Sequence, residues 1–280
     1  MDQQSLESAL ADLNLPAVRF FRTIDSTNDE AWRWVEQAAP HRALVISDEQ
    51  TAGRGRLHRR WMTTAGSGLA FSLVLLTTPL DIQPLSHLTG LGALAACQAL
   101  RNQYSLPAQV KWPNDILLDQ RKVGGVLVET RWNGDELKAV VIGIGINIAP
   151  QSINPAILPS DELSFPATCV EDVLGHAVDR MELLHTILQE LFSWLLRMGL
   201  PDFIETWNSS LAFRNQWVEL SGWKETLVPH SGTAVTQVLI GKVIGLDSDG
   251  SLQLMSRNGE LVTVQVGEIH LRPTDSPPPD

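Results

Sequence analysis

Three short stretches of this chain combine residue types that chemistry needs. Between Gln50 and Leu80 there is no Asp or Glu, yet four arginines and a histidine fall within Gly53-Arg54-Gly55-Arg56-Leu57-His58-Arg59-Arg60. A guanidinium is a planar fork suited to bidentate capture of phosphate or carboxylate. Fixing such a loop costs on the order of 1 kcal/mol per residue, and mutually repelling arginines offer little burial in return. The loop is therefore expected to stay mobile until an anion neutralises it. The plainer alternative is an exposed hairpin crossover with solvated charges.

The second stretch is Lys111-Trp112-Pro113-Asn114-Asp115. Pro113 pushes Trp112 out of helical geometry and breaks a strand ladder, so polar residues are displayed at a strand interruption or simply form the corner of a turn. The third is Arg121-Lys122-Val123-Gly124-Gly125-Val126-Leu127-Val128-Glu129, where Lys122 opens an otherwise apolar strand and paired glycines permit close approach of a backbone or flat ligand. A lysine at a hairpin start could equally face solvent. Gly143-Ile144-Gly145-Ile146-Asn147 lacks the third glycine and the following helix of a dinucleotide fingerprint. Its glycines are read instead as a strand passing beneath a ligand, with Asn147 offering a donor.

Other chemistries lack their signatures. There is no phosphate-binding Gly-x-x-x-x-Gly-Lys loop, no Gly-x-Ser-x-Gly elbow and no His-Glu-x-x-His helix, and the seven histidines are scattered. Cys97 and Cys169 are the only cysteines, which fits a reducing, cytoplasmic setting without disulfides. The net charge of −11 argues against general affinity for DNA or an anionic membrane. No apolar run approaches the roughly 20 residues that span a bilayer. A positive site in a negative envelope points to a small anionic ligand.

The elements that must position these residues follow from hydrophobic periodicity. A short helix is expected over residues 4–14, a strand near Val18 to Arg22, and a helix from Ser26 or Thr27 as cap to about Ala38. Strands follow at Ala43 to Ser47 and Leu69 to Thr77, with the arginine loop between them. A long helix from Pro84 to about Gln103 precedes strands at Val110 to Trp112, Ile116 to Leu118, Val123 to Arg131 and Leu137 to Ile148, the last two joined by Asn133-Gly134. After a loop from Ala149 to Pro166, helices are expected over Cys169 to Gly175, Asp179 to Met198 and Pro201 to Leu211. Beyond Phe213, four short strands (Gln216 to Leu220, Val238 to Leu246, Ser251 to Ser256, Leu261 to Gly267) make a small all-β module. A Pro-rich tail ends the chain and is expected to be disordered.

In order and identity these motifs resemble the biotin–protein ligases. That family combines Ser-Thr-Asn at a helix start, Gln before a Gly-Arg-Gly-Arg loop, Lys-Trp-Pro-Asn-Asp, Lys-x-x-Gly-x-x-x-Glu and Gly-x-Gly-x-Asn. Here they are Ser26 to Asn28, Gln50 with Gly53 to Trp61, Lys111 to Asp115, Lys122 to Glu129 and Gly143 to Asn147. The resemblance covers nearly the whole chain, Gly267 to Ile269 included. It implies an α/β mixed-sheet catalytic domain over residues 1–212, a Src-homology-3-like β-barrel over 213–273, and a tail over 274–280. It also implies formation of biotinyl-adenylate from biotin and ATP with Mg²⁺, then transfer of biotin to a lysine of a carboxyl carrier domain, as in acetyl-CoA carboxylase.

Roles carried over by matching positions are these. Ser26, Thr27, Asn28 and Gln50 would bind the ureido head of biotin, with Gly53, Arg54, Gly55 and Arg56 folding over its carboxylate and the phosphate. Lys122 would stand at the reacting centre. Arg56, Arg59, Trp61, Lys111, Asn114 and Asn147 would serve the nucleotide, with Lys111 and Asn114 toward the phosphates and Mg²⁺. Asp115 would receive or orient the proton of the acceptor amine. The metal ligands and the oligomeric state, a homodimer included, are left open.

One departure stands out: the family loop reads Gly-Arg-Gly-Arg-x-Gly-Arg-x-Trp, and His58 holds the third glycine position here. Fewer than 20 residues precede the first expected strand, too few for a winged helix, so a ligase without a DNA-binding domain is implied. Two other readings stay in view. A lipoate or octanoate ligase or transferase shares this architecture but would want an apolar head pocket, and a binding module could use the arginines and β-barrel to grip RNA.

Overall fold

The computed structural model describes residues 1–56, 59–77, 85–153, 166–223, 237–265 and 270–274. His58, part of the 149–166 loop, Gly267 to Ile269 and most of the tail lie outside the described residues. Seven strands form a mixed sheet: β1 (Val18–Ile24), β2 (Leu44–Gln50), β3 (Gly68–Leu76), β4 (Gln109–Lys111), β5 (Asp115–Leu118), β6 (Arg121–Asn133) and β7 (Glu136–Asn147), in the order β1-β2-β3-β7-β6-β5-β4. Only β1 and β2, which follow a short helix α1 (Gln3–Ala9), run parallel, because the helix α2 (Thr27–Glu36) crosses over between them. Every other neighbouring pair is antiparallel.

Strand alternation gives the sheet two different faces. Leu69, Phe71, Leu73 and Leu75 of β3, with Ile142, Ile144 and Ile146 of β7, enter the main core with the long helices α3 (Ser86–Tyr104) and α5 (Arg180–Leu195). On the opposite face Val45, Val74 and Val141 pack under Ala31 and Trp34 of α2. The same face continues at the N-terminal end of α2 as Ser72, Gly143 and Gly145, whose lack of large side chains leaves room above the strands. That uncovered end is where the sequence motifs converge.

The chain leaves this sheet through α4 (Val170–Leu174), α5 and α6 (Pro201–Ser209), and pairs Leu211 beside Val110 at the β4 edge. A second, wholly antiparallel sheet follows: β8 (Trp217–Trp223), β9 (Gln237–Leu246), β10 (Leu252–Met255), β11 (Leu261–Val264) and β12 (His270–Pro273), ordered β11-β10-β9-β8-β12. The sequence pattern indicated four of these strands. It missed β12, a four-residue segment ending in proline whose partner β8 lies some fifty positions earlier.

The second sheet is keyed to the first through the turn between β9 and β10. Ser86 Oγ donates to Asp249 O at 2.5 Å, His87 Nε2 lies 3.0 Å from Ser248 O, and the buried Trp112 donates its indole N–H to Gly250 O at 3.0 Å. Gly250 has a φ of +81°, and a Cβ there would lie 2.7 Å from the buried Trp207 ring. Gly259 has a similar φ of +80° with open space around it. Gly250→Ala is therefore expected to destabilise the protein by about 1–3 kcal/mol through combined strain and overlap. Gly259→Ala should cost less, and thermal unfolding of the two variants side by side checks the ordering; equal losses would mean that Trp207 does not constrain the turn.

Candidate active site

The polar end of the pocket grows from the start of α2. Ser26 is the N-cap, its hydroxyl accepting from Asp29 N at 3.4 Å, and this presents Thr27 and Asn28 toward the sheet. Parallel pairing of Ile24 with Gln50 brings the end of β2 alongside. Gln50 Oε1 accepts from Thr27 N at 2.8 Å and from Thr27 Oγ1 at 3.1 Å. Ser72 Oγ lies 2.8 Å from Thr27 Oγ1 and 2.6 Å from Asn28 Oδ1. All five side chains are buried; Thr27, Asn28, Gln50 and Ser72 are bonded to one another and Ser26 to the backbone of its own helix, as buried polar groups must be. Asn28 lies flat on the sheet: a Cβ at Gly143 would fall 2.1 Å from its Oδ1. Ser72 was not singled out from sequence, although a lone hydroxyl inside the apolar run of β3 is a signal for it.

The arginine loop continues β2 as a hairpin. Gln50 pairs with Thr63 and Arg54 with Arg60, Trp61 N donates to Gly53 O at 2.8 Å, and Gly55 N donates to Arg59 O at 2.7 Å. The hairpin lays the Trp61 indole on Gly145, where a Cβ would come within 2.4 Å of the ring. Partners that the sequence argument did not count offset the entropy of ordering. Arg54 forms a bidentate pair with Glu129, at 2.8 and 2.9 Å, and a further bond to Asp29 at 2.6 Å. Arg56 turns the other way and donates to Asn114 Oδ1 at 3.2 Å.

At the centre is Asp115. It faces Lys111 across the short β4–β5 hairpin and Gly125 on β6. Its Oδ2 lies 3.0 Å from Lys111 Nζ and its Oδ1 2.6 Å from Lys122 Nζ. Burial opposes ionisation of Asp115, but the two ammonium groups outweigh it and hold the carboxyl well below the usual range. Burial also draws the Lys111 ammonium down, against the pull of Asp115, with Lys122 and Arg59 adding repulsion. Burial likewise disfavours the charge of Arg56, with Asp115 opposing it and Arg59 adding repulsion. Lys122 is fixed at both ends of its residue, its N–H donating to Pro166 O at 2.7 Å and its carbonyl accepting from Thr168 N at 2.9 Å. Among the described residues, Lys111 and Lys122 thus bond Asp115 and Arg56 and Arg59 stand nearby, a gathering of cationic groups suited to an anion.

The residues expected from sequence fall into two groups. Ser26, Thr27, Asn28 and Gln50 come together at the head of the pocket; Arg56, Arg59, Trp61, Lys111, Asn114, Asp115 and Lys122 gather at the cationic end. Arg54 belongs to neither end, since its guanidinium is engaged by Glu129 and Asp29. Asn147 closes β7 and donates to Thr168 O at 3.2 Å, tying down the segment that pins Lys122. Cys97 and Cys169 are both buried, and burial pushes the Cys97 thiol up to about 12.

Comparison with known proteins accords with this arrangement. A family profile described as "Biotin/lipoate A/B protein ligase family" matches residues 20–147. A protein named "Bifunctional ligase/repressor BirA" from Bacillus spizizenii is 32% identical over 239 residues, covering 84% of this chain and 68% of the relative. A "Biotin--[acetyl-CoA-carboxylase] ligase" from Paracoccus denitrificans is 32% identical over 242 residues, covering 85% and 94%. Among solved structures, the biotin protein ligase from Aquifex aeolicus in complex with biotin and ATP is 26% identical, covers 92% of this chain and all of that one, and superposes with a TM-score of 0.73. On these matches the chain belongs to the biotin/lipoate A/B protein ligase family.

Proposed function

We propose that this protein is a biotin–protein ligase, joining biotin to AMP at the expense of ATP and passing the biotinyl group to a lysine of a biotin carboxyl carrier domain. The observation that carries the reading is the juxtaposition of a buried polar cluster with a cationic centre on one glycine-lined face of the sheet. Asn28 covers Gly143 and Trp61 covers Gly145, two residues further along β7. Gly145 pairs with Gly125, and a Cβ at Gly125 would lie 3.5 Å from Lys122 Nζ. Two residues of strand span about 7 Å, comparable to the reach of the valeryl tail between the ureido head of biotin and its carboxylate.

In the first step a biotin carboxylate oxygen attacks the α-phosphorus of ATP, the bond to the bridging oxygen breaks, and pyrophosphate leaves. In the second, the acceptor amine attacks the acyl carbon, AMP leaves with the bond electrons, and the amine's proton passes to solvent. No protein nucleophile takes part, so the enzyme contributes orientation and charge stabilisation. Ser26, Thr27, Asn28 and Gln50 hold the head, Gly53 and Gly55 let the hairpin close over the tail, and Arg56 and Lys122 offset the repulsion between carboxylate and phosphate. At an effective dielectric of about 20, one charge about 4 Å away is worth about 4 kcal/mol, or roughly a thousandfold in rate.

Lys111, Asn114, Arg59, Trp61 and Asn147 serve the nucleotide side. Mg²⁺ would enter as the counter-ion of the triphosphate and neutralise its charge. Both Asp115 oxygens are taken by ammonium groups and Asn114 Oδ1 by Arg56, so the metal would be held chiefly by the phosphates, with Asn114 reaching it only if Arg56 turned to the phosphate. Asp115 is reassigned: a carboxyl held so far down is a weak base, and its role becomes that of aiming Lys122 rather than taking the amine's proton. We further propose a division at residues 212 and 213, where Phe213 turns left-handed with φ +61°. The five antiparallel strands after it are read as a Src-homology-3-type barrel, and the setting as cytoplasmic.

Purified protein should exchange labelled pyrophosphate into ATP with biotin present and not with lipoate. Exchange with lipoate alone would replace the biotin reading by the lipoyl one. Lys122→Ala should keep a native circular dichroism spectrum while exchange falls about a thousandfold; an unfolded variant would instead make Lys122 a structural residue. Asp115 also sets a pH dependence. Its folded-state pKa lies below the unfolded value of about 3.9. Its contribution is therefore complete above that value and is lost as pH falls through the folded pKa. The stability gap between wild type and Asp115→Asn should stay constant from about pH 5 to 8 and narrow below about pH 4, as denaturant titrations at each pH would reveal. A gap that narrowed between pH 5 and 7 would contradict the depressed pKa.

A further inference from the structure

Glu129 has no part in the reaction as derived, yet its carboxylate is the meeting point of the pocket, the hairpin and α2. Oε1 accepts from Arg54 Nη1 at 2.8 Å; Oε2 accepts from Arg54 Nη2 at 2.9 Å, Asn28 Nδ2 at 2.8 Å and Trp32 Nε1 at 3.3 Å. An ionised carboxylate only accepts hydrogen bonds. Burial pushes Glu129 toward its neutral form, but Arg54 and the other donors prevail and keep its carboxyl below the usual range. The Asn28 amide then has one permitted orientation: Nδ2 toward Glu129, and Oδ1 toward Ser72 Oγ at 2.6 Å. The polarity with which Asn28 meets a ligand is thus set one residue further back.

We propose that Glu129 is a positioning residue that fixes the donor–acceptor polarity of Asn28 and, through Arg54, latches the arginine hairpin over the pocket. Recognition of the head group and closure of the hairpin then share one carboxylate. A ligand that engages Asn28 strengthens the frame that holds Arg54, and a closed hairpin holds Asn28 in its ligand-binding orientation. This role rests on the ligase reading and extends it to a residue that would touch neither biotin nor nucleotide. A glutamine at 129 would be nearly isosteric but could donate as well as accept, releasing the amide to flip and giving up the bidentate ion pair.

The test compares wild type, Glu129→Gln, Arg54→Ala and the double variant, each checked for native melting. It measures biotin-dependent pyrophosphate exchange and the release of preformed biotinyl-adenylate. Glu129→Gln should raise the KM for biotin about tenfold or more with kcat within about threefold, leaving the KM for ATP unchanged. A merely structural defect would not discriminate between the two substrates. Arg54→Ala should speed adenylate release, and the double variant should release no faster than the faster single one, because both break the same latch. Should Glu129→Gln fail to fold, Arg54→Ala reads the latch from its other side, and an unchanged release rate there overturns the proposal. So would a folded Glu129→Gln with wild-type KM and release, or single effects that multiply in the double variant. Absence of biotin-dependent exchange in wild type is a separate outcome: it overturns the ligase reading itself and this role with it.

Discussion

The buried carboxylate of Asp115, held between Lys111 and Lys122, is the constraint from which the rest of the site follows. Burying the charges of Asp115 and Lys111 beside the half-buried Lys122 is costly, and such clusters are weak contributors to stability. This one is built by a minimal device, a short hairpin that sets Lys111 opposite Asp115 while β6 delivers Lys122 from the other side. The two ammonium groups exceed the one carboxylate, so the centre is positive before any ligand arrives. A surplus of charge fixed in place is what a reaction between two anions requires, since nothing need reorganise as the phosphate and carboxylate approach.

The sheet determines where that charge is useful. One face is filled by apolar side chains and helices, and the other is half covered by α2 and half left as a glycine-lined floor. Asn28 and Trp61 lie directly on that floor, and side chains at Gly143 or Gly145 would collide with them. The floor therefore serves two ends at once, a neutral hydrogen-bonding head and a cationic tail, with the hairpin above both. The second sheet reaches the same region from behind, because Trp112 of the Lys-Trp-Pro-Asn-Asp turn is bonded to Gly250. The turn that presents Lys111 and Asp115 is thereby braced by a module distant in sequence.

Much of this was legible in the sequence because the signals are local. Ser26 as a cap, the period-two pattern of β3 and the Asn133-Gly134 hairpin each depend on a few neighbouring residues. The motif order was equally local, and it named the two ends of the site. Long-range pairing was less legible: β12 escaped notice because its partner is β8, and nothing within four residues announces that. The same reason explains Arg54 and Asp115. The arginine loop was read for an anion and the family resemblance offered Asp115 for a proton, while Glu129, 75 positions from Arg54, engages that arginine in a pairing no local pattern announces. The ion pairs of Asp115 with Lys111 and Lys122 were equally hidden from the sequence, and they are what supports the positioning role proposed for it. Ser72 shows the converse, a local signal passed over because it stood in an apolar strand.

The account makes recognition polar, reaction cationic, and both parts of one preformed surface. The most direct measurement is a crystal structure of the protein with a non-hydrolysable biotinyl-adenylate analogue. The expected result has the ureido ring against Ser26, Thr27, Asn28 and Gln50, the acyl–phosphate linkage between Lys122 and Arg56, and Asp115 still bonded to Lys122. An analogue bound with its phosphate away from Lys122, or with Asp115 turned from both lysines, would contradict the claim that this charged triad organises the chemistry.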